Sequence, residues 1–355
     1  MTTKNIDQLI EEMTIEEKAE ICTGDSFWTT KAFKKLGIPS MRMADGPHGI
    51  RKNLIKIDEM GFFGGVKLIC FPTEAAWASS WNIEMVKEIG LTLGEECESE
   101  NIDMILGPGV NIKRHPLCGR NFEYISEDPY LTAILGAAWV RGVQWSGIGS
   151  CIKHFVANNS EFERTTMNVK VDERALREIY MFAFEYIIKS EKPWAVMSAY
   201  NRLNGTYCSE SWYLLTEVLR NEWKYRGLIV SDWGAVDDIA KAIDAGLNLE
   251  MPTTFQVSKN KIIRAIEDGD LSEYTLNKSV KYLLKTVLKS SINRGKIKID
   301  KDAHHLQARK LARECIVLLK NEDKILPLDP DEKEVLAVIG EMGKKPRYQG
   351  SGSSR

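Results

Sequence analysis

Apolar positions along the chain fall into two alternating patterns: short continuous runs, and longer stretches at helical spacing. The clearest run is Gly227-Leu228-Ile229-Val230-Ser231, which follows the polar Lys224-Tyr225-Arg226 and ends on Asp232-Trp233-Gly234. A short run without polar alternation predicts a strand covered on both faces, as in parallel sheets. Comparable runs occupy 41–44, 103–106, 150–152, 194–198 and 246–252, and a further one ends at Phe71-Pro72-Thr73. Between them, helical spacing predicts helices over 6–22, 83–100, 130–145, 173–190, 259–268 and 273–292, and one opening at Ala235. Inside the first, Thr14-x-x-Glu17 is a capping pattern and predicts a break. Asp128-Pro129 pairs a capping residue with proline at the first helical position.

About seven short strands alternating with helices predict an α/β fold, a (β/α)8-like TIM barrel over residues 1–290. Polar residues recur where the strands end: Asp45, Lys153, His154, Tyr200, Asp232 and Glu250. In a barrel those ends form the face that carries chemistry. A doubly wound sheet also gathers ligands at strand C-termini, so this pattern alone leaves both open. Asp232 by itself reads equally as the cap of the next helix.

Past 290 the character changes. A linker over 291–330 opens on the basic Arg294-Gly295-Lys296, contains a helix over 303–321, and leads to the buried-type strand Val335–Gly340. After that strand the chain has a polar, glycine-rich tail. A lone core strand cannot bury itself, so 331–355 is expected to be the truncated start of a second domain.

Composition narrows the function class. Hydrophobic residues at 43% and charged residues at 28% are globular values. A net charge of -2 gives no reason to expect nucleic acid or an anionic membrane. The start has no apolar core and no run has the length of a membrane span, so a cytoplasmic protein is expected. Seven cysteines without CxxC pairing suit free thiols in a reducing compartment. Gly350-Ser351-Gly352 lacks the lysine and helix of a phosphate loop. His304 and His305, adjacent on a helix, point to different faces, which disfavours a metal pair. His48 and His115 read as turn and loop residues. No cofactor is expected.

Carboxylates, cations and indoles together suit a polyhydroxylated ligand: charged groups bind vicinal hydroxyls, and Trp offers a flat apolar face. Cations near Asp232 are expected to keep its pKa low and leave it ionised as a nucleophile.

Four stretches carry a resemblance: Asp45-Gly46-Pro47-His48-Gly49-Ile50-Arg51; Gly119-Arg120-Asn121-Phe122-Glu123 with Ser126-Glu127-Asp128-Pro129; Lys153-His154-Phe155-Val156-Ala157-Asn158-Asn159; and Val230-Ser231-Asp232-Trp233-Gly234. In this order they resemble glycoside hydrolase family 3 of the β-glucosidase type. The resemblance implies a retaining exo-acting β-glycosidase with Asp232 as nucleophile. It implies that Asp45, Arg120, Lys153, His154 and Arg164 hold the sugar hydroxyls, with Met197, Tyr200 and Trp233 lining the subsite. One branch of the family takes its acid/base from an Asp-Ser-His loop after the Lys-His pair; here the segment is Asn158-Asn159-Ser160-Glu161-Phe162-Glu163-Arg164, without that His. The glucosidase branch uses a Glu of a second, α/β sandwich domain, whose beginning 331–355 resembles, so the resemblance implies an acid/base outside this chain, on a C-terminal domain or a second polypeptide. β-Xylosidase or related exo-glycosidase activity, and a non-catalytic sugar-binding barrel, remain alternative readings.

Overall fold

The computed structural model describes residues 5–52, 65–290, 297–331 and 335–347. Five strands form one parallel sheet: β1 (Met43–Ala44), β2 (Met104–Ile105), β3 (Gly149–Phe155), β4 (Ala195–Ser198) and β5 (Leu228–Ser231). The register runs Met43 to Met104, Ile105 to Ser150, Ile152 to Val196 and Met197 to Val230. Every residue of β3, β4 and β5 is buried, as their unbroken apolar runs require.

The sheet then curls into a ring. Val230 bridges Leu249 and Glu250 bridges Thr23, both parallel; Gly24 bridges Thr30 and Thr29 bridges Arg42, both antiparallel. Arg42 leads into β1, so eight chain segments close the circle, as the barrel expectation required. Two of them differ from that expectation. The described residues ahead of Phe71, 65–70, form no strand, and the ring is completed by a reversal near the N-terminus whose second arm runs against its neighbours. Residues 246–252 contribute single bridges rather than a regular strand.

Helices cover the ring. The capping pattern at Thr14 does split the first: α1 spans Ile6–Glu12 and α2 spans Ile15–Ile21, with reciprocal Thr14–Glu17 bonds at the break. After α3 (Glu74–Ala78), α4 (Ile83–Ser99) is capped by Asn82, and α5 (Pro129–Trp145) by Asp128, whose Oδ1 accepts from Leu131 N–H at 2.6 Å. These two helices meet through glycines: a Cβ added at Gly142 would stand 2.0 Å from the Lys87 carbonyl, and one at Gly90 2.3 Å from that of Trp139. The helix expected over 173–190 is a short α turn and a wider π-type turn at Leu176–Tyr180, followed by α6 (Phe182–Glu191). A second π-type helix covers Tyr213–Glu222.

The helix after Asp232 starts later than expected. Its α7 spans Ile239–Ala245 and its cap is Asp238, whose carboxylate accepts from Ala240 and Lys241 N–H. Asp232 is therefore not a helix cap. α8 (Val257–Glu267) and α9 (Glu273–Ser290) complete the coat.

Of the linker, α10 (Lys301–Glu314) returns to the barrel: His304 Nδ1 lies 2.9 Å from Glu96 Oε1, and Leu311 and Ala308 are buried. His305 on the next position is exposed, so the pair does divide between two faces. The helix stops at Glu314 rather than 321, because Ile316-Val317-Leu318-Leu319 are consecutive apolar residues that no single helix face can bury together. The strand expected over Val335–Gly340 is not formed: Val335–Ile339 have no strand pairing and Ile339 is 92% exposed, so nothing buries the apolar run. Arg294-Gly295-Lys296 and 348–355 lie outside the described residues. No helix among the described residues is long and apolar enough to cross a membrane.

Candidate active site

A cleft of about 300 Å³ opens at the C-terminal ends of the parallel strands. All nine residues expected at a site line it: Asp45, Arg120, Lys153, His154, Arg164, Met197, Tyr200, Asp232 and Trp233. Asp45 follows β1, Lys153 and His154 lie near the end of β3, Met197 and Tyr200 come from β4 and the turn after it, and Asp232 and Trp233 follow β5. Arg120 and Arg164 reach in from the loops after β2 and β3. Glu250, whose segment also ends at this face, is not among the lining residues; it is buried beside Ser258 of α8.

The charges form one connected network. Lys153 Nζ donates to Asp45 Oδ1 at 2.7 Å and lies 3.2 Å from Glu123 Oε2. Arg120 Nε donates to Glu123 Oε1, and its Nη2 lies 2.7 Å from His154 Nε2. A guanidinium can only donate, so Nε2 of His154 must accept, and the ring proton sits on Nδ1. There it faces Tyr124 Oη at 3.2 Å and Asn111 Oδ1 at 3.3 Å. Burial, with Arg120 and Lys153 adding to it, holds His154 well below the usual imidazole range, so it is neutral. Its approach to Asp232 at 3.5 Å is therefore not an ion pair.

Asp232 is 6% exposed. Its Oδ1 accepts from the Trp233 backbone N–H at 2.8 Å, while Oδ2 has no hydrogen-bond partner and lies 3.8 Å from Arg120 Nη1, itself unpartnered. Trp233 is fixed by its Nε1, which donates to the Phe27 carbonyl at 2.8 Å, and Tyr200 Oη donates to the Trp233 carbonyl at 2.9 Å. Arg164 stacks over Tyr200 at 4.2 Å, and Trp28 stands 5.4 Å from Trp233. The result is a charged floor below an aromatic rim.

Comparison with known proteins identifies the family to which the chain belongs. The family model described as the glycosyl hydrolase family 3 N-terminal domain matches residues 16–286. The chain belongs to glycosyl hydrolase family 3. It is 53% identical over 351 residues to the thermostable beta-glucosidase B of Acetivibrio thermocellus, covering 99% of this chain and 46% of that protein. It is 43% identical over 355 residues to an exo-alpha-(1->6)-L-arabinopyranosidase of Bifidobacterium longum, covering 97% of this chain and 47% of that one. Beta-glucosidase 3B from Thermotoga neapolitana, solved in complex with glucose, superposes with a TM-score of 0.92 at 38% identity, covering 99% of this chain and 52% of that one. The chain spans about half the length of the curated relatives it matches.

Two features of this family 3 site escaped sequence reasoning. Glu123 is 1% exposed and anchors both cations; its spacing of three from Arg120 in a short helical turn was the available signal. Burial pushes its carboxyl up, but Arg120 and Lys153 together outweigh that and hold it below the ordinary value. Phe27 and Trp28 come from the N-terminal reversal, which the strand pattern did not anticipate. The expected low pKa of Asp232 is also corrected. Burial dominates and raises it, with Arg120 the main opposing influence. His48 lies in a turn, as expected, and is buried there, where desolvation lowers its pKa to about 4. His115 is exposed in its loop.

Proposed function

We propose that this chain carries the nucleophile and sugar subsite of a retaining β-glucosidase that hydrolyses terminal β-D-glucosyl residues. The observation that supports this reading is Asp232, whose Oδ1 is held by a backbone N–H while Oδ2 has no partner in a cleft lined by cations and indoles. Oδ2 attacks the anomeric carbon, the bond to the aglycone oxygen breaks, and the sugar is left as an ester on Asp232. Water then cleaves that ester. Asp45 accepts from two sugar hydroxyls while Lys153 donates to one, and Arg164 with Tyr200, Met197 and Trp233 bounds the ring. Neutral His154, with its proton on Nδ1, serves the sugar as an acceptor at Nε2 or yields that position to Arg120.

Such a mechanism needs a second, protonated carboxyl ~5–5.5 Å from the nucleophile. Among the described residues the other carboxylates lining the cleft are Asp45 and Glu123, and each is bonded to a cation. Glu123 is held ionised, the opposite of what an acid requires. Among the described residues none that lines the cleft meets that need, and the family resemblance implies that the acid/base is a Glu on a C-terminal domain or a second polypeptide, in keeping with the length of the relatives. The seven cysteines, all free thiols, favour a reducing compartment, the cytoplasm.

A second reading rests on the Bifidobacterium longum relative, named for an exo-α-(1→6)-L-arabinopyranosidase. Its pentose lacks the hydroxymethyl group that a glucoside carries. Comparing kcat/KM on aryl β-D-glucoside, β-D-xyloside and α-L-arabinopyranoside separates the three activities. For the main reading, a 2-fluoro-glucoside with a dinitrophenyl leaving group should label Asp232, seen as a mass shift on its peptide. Absence of label with retained glucose binding would turn the assignment toward a non-catalytic sugar-binding barrel.

A further inference from the structure

A second cavity, of about 530 Å³, opens at the opposite end of the same strands that carry Asp232 and Tyr200. Its floor is Trp194, just before β4, and Tyr225, just before β5, with Trp223 beside them. Five cations surround it: Lys192, Lys224, Arg226, Lys285 and Lys289. The acids nearest in sequence are committed elsewhere, Glu191 to Arg141 at 2.6 Å and Glu222 to Arg177. None of the five cations has a carboxylate within ion-pair distance among the described residues, and Arg226 bonds the neutral Tyr282 hydroxyl instead.

Three helix C-termini meet here, those of α6, of Tyr213–Glu222 and of α9, and cations at such ends have a structural role. That role accounts for roughly half a negative charge per helix end, about -1.5 in all, against five positive charges. A strong positive excess remains. Lys289 illustrates it: its ammonium lies 4.1 Å over the Trp194 ring, and burial lowers its pKa with no anion to restore it. A solvated charged face does not explain cations drawn over a concave aromatic floor.

We propose that this cavity binds a small anion carrying a flat apolar ring system, the ring against Trp194 and Trp223 and the anionic group between Lys285 and Lys289. Aromatic walls supply the ring's contact area and cation–π partners, and the cations supply the charge. The site stands apart from the sugar cleft and does not depend on the reading of that cleft.

Titration calorimetry of the chain with naphthalene-2-sulfonate tests it. Saturable binding of one molecule is expected, weakening as salt rises from 20 to 500 mM because the cations are open to screening. Lys285→Glu with Lys289→Glu should weaken it about tenfold or more, since two charges near the anion are reversed. Reversing two charges near the C-terminal end of α9 works against its dipole, so a modest fall in melting temperature is expected, with the variant still folded at the assay temperature. Lys170→Glu, exposed and remote from this cavity, should leave binding unchanged. The proposal is overturned if Lys170→Glu weakens binding as much, if the double variant has no effect, or if glucose competes. It is equally overturned if inorganic sulfate or neutral 2-naphthol binds as tightly as the sulfonate.

Discussion

At the scale of single residues, two buried carboxylates that face the same Arg120 respond oppositely to their surroundings. Glu123 has Arg120 and Lys153 on its two oxygens and sits below the ordinary carboxylate value. Its stabilisation is fully present above the unfolded value of ~4.3 and is lost as pH falls toward the lower folded value. Glu123→Gln leaves buried cations short of a counter-charge, at a cost of about 3–5 kcal/mol. We expect a lowered Tm at pH 7, with the gap to the parent chain shrinking below about pH 4.3. Asp232 is raised by burial, so its ionised form costs stability at neutral pH and that cost disappears in acid. Asp232→Asn should therefore raise the Tm at pH 7 while lowering glycoside turnover by on the order of a thousandfold or more. Thermal melts of both variants across pH 3–8 check the two signs. A lowered Tm for Asp232→Asn at pH 7 would show that Arg120 outweighs the desolvation.

At the scale of elements, α4 and α5 are joined by backbone contact rather than side-chain interdigitation. Gly142→Ala gains helix propensity of about 1 kcal/mol, but its Cβ would stand 2.0 Å from the Lys87 carbonyl and 2.7 Å from the Leu91 nitrogen. Backbone cannot rotate away as a side chain can, so overpacking of ~1–3 kcal/mol or more prevails. Urea unfolding should place the midpoint of Gly142→Ala below the parent; an unchanged midpoint would mean the helices slide apart freely. The same contrast between local and distant causes governs what the sequence made legible. β3, β4 and β5 were readable because burial on both faces leaves a continuous apolar run. The Thr14 and Asp128 caps were readable because capping is local. The N-terminal reversal that closes the ring was not, since single bridges at Thr23, Thr29 and Thr30 impose no periodicity. In the cleft, strand-end position found Asp45, Lys153 and Asp232, and the family resemblance added Arg120 and Arg164. Neither exposed the balance between desolvation and nearby cations, which reverses the expected shift of Asp232.

At the scale of the whole molecule, a nucleophile at Asp232 whose proton donor lies on another domain or polypeptide, as proposed, would make turnover depend on the leaving group. Formation of the glycosyl ester requires departure of the aglycone oxygen, and general acid catalysis of that step contributes about 10²–10⁴. A dinitrophenolate leaves without a proton; an alkoxide or sugar oxygen does not. For this 355-residue chain assayed by itself, dinitrophenyl β-glucoside should react at Asp232 and accumulate the ester, because its hydrolysis also lacks a base to activate water. Alkyl glucosides and cellobiose should be turned over about 10²–10⁴ more slowly than by a form of the enzyme that carries the acid/base. A plot of log kcat/KM against leaving-group pKa should be steep for this chain and shallow for a form that carries the acid/base. If the acid/base is supplied by a further domain or polypeptide, the exposed Ile316–Leu319 and Val335–Ile339 stretches offer it a surface to cover, so raising activity by adding it should also bury them. A shallow slope for this chain alone would mean that a carboxyl already in the cleft donates the proton. Glu123 and Asp45 would then have to be released from Lys153 and Arg120 during turnover, and the ion network would be a moving part of the mechanism rather than a fixed floor.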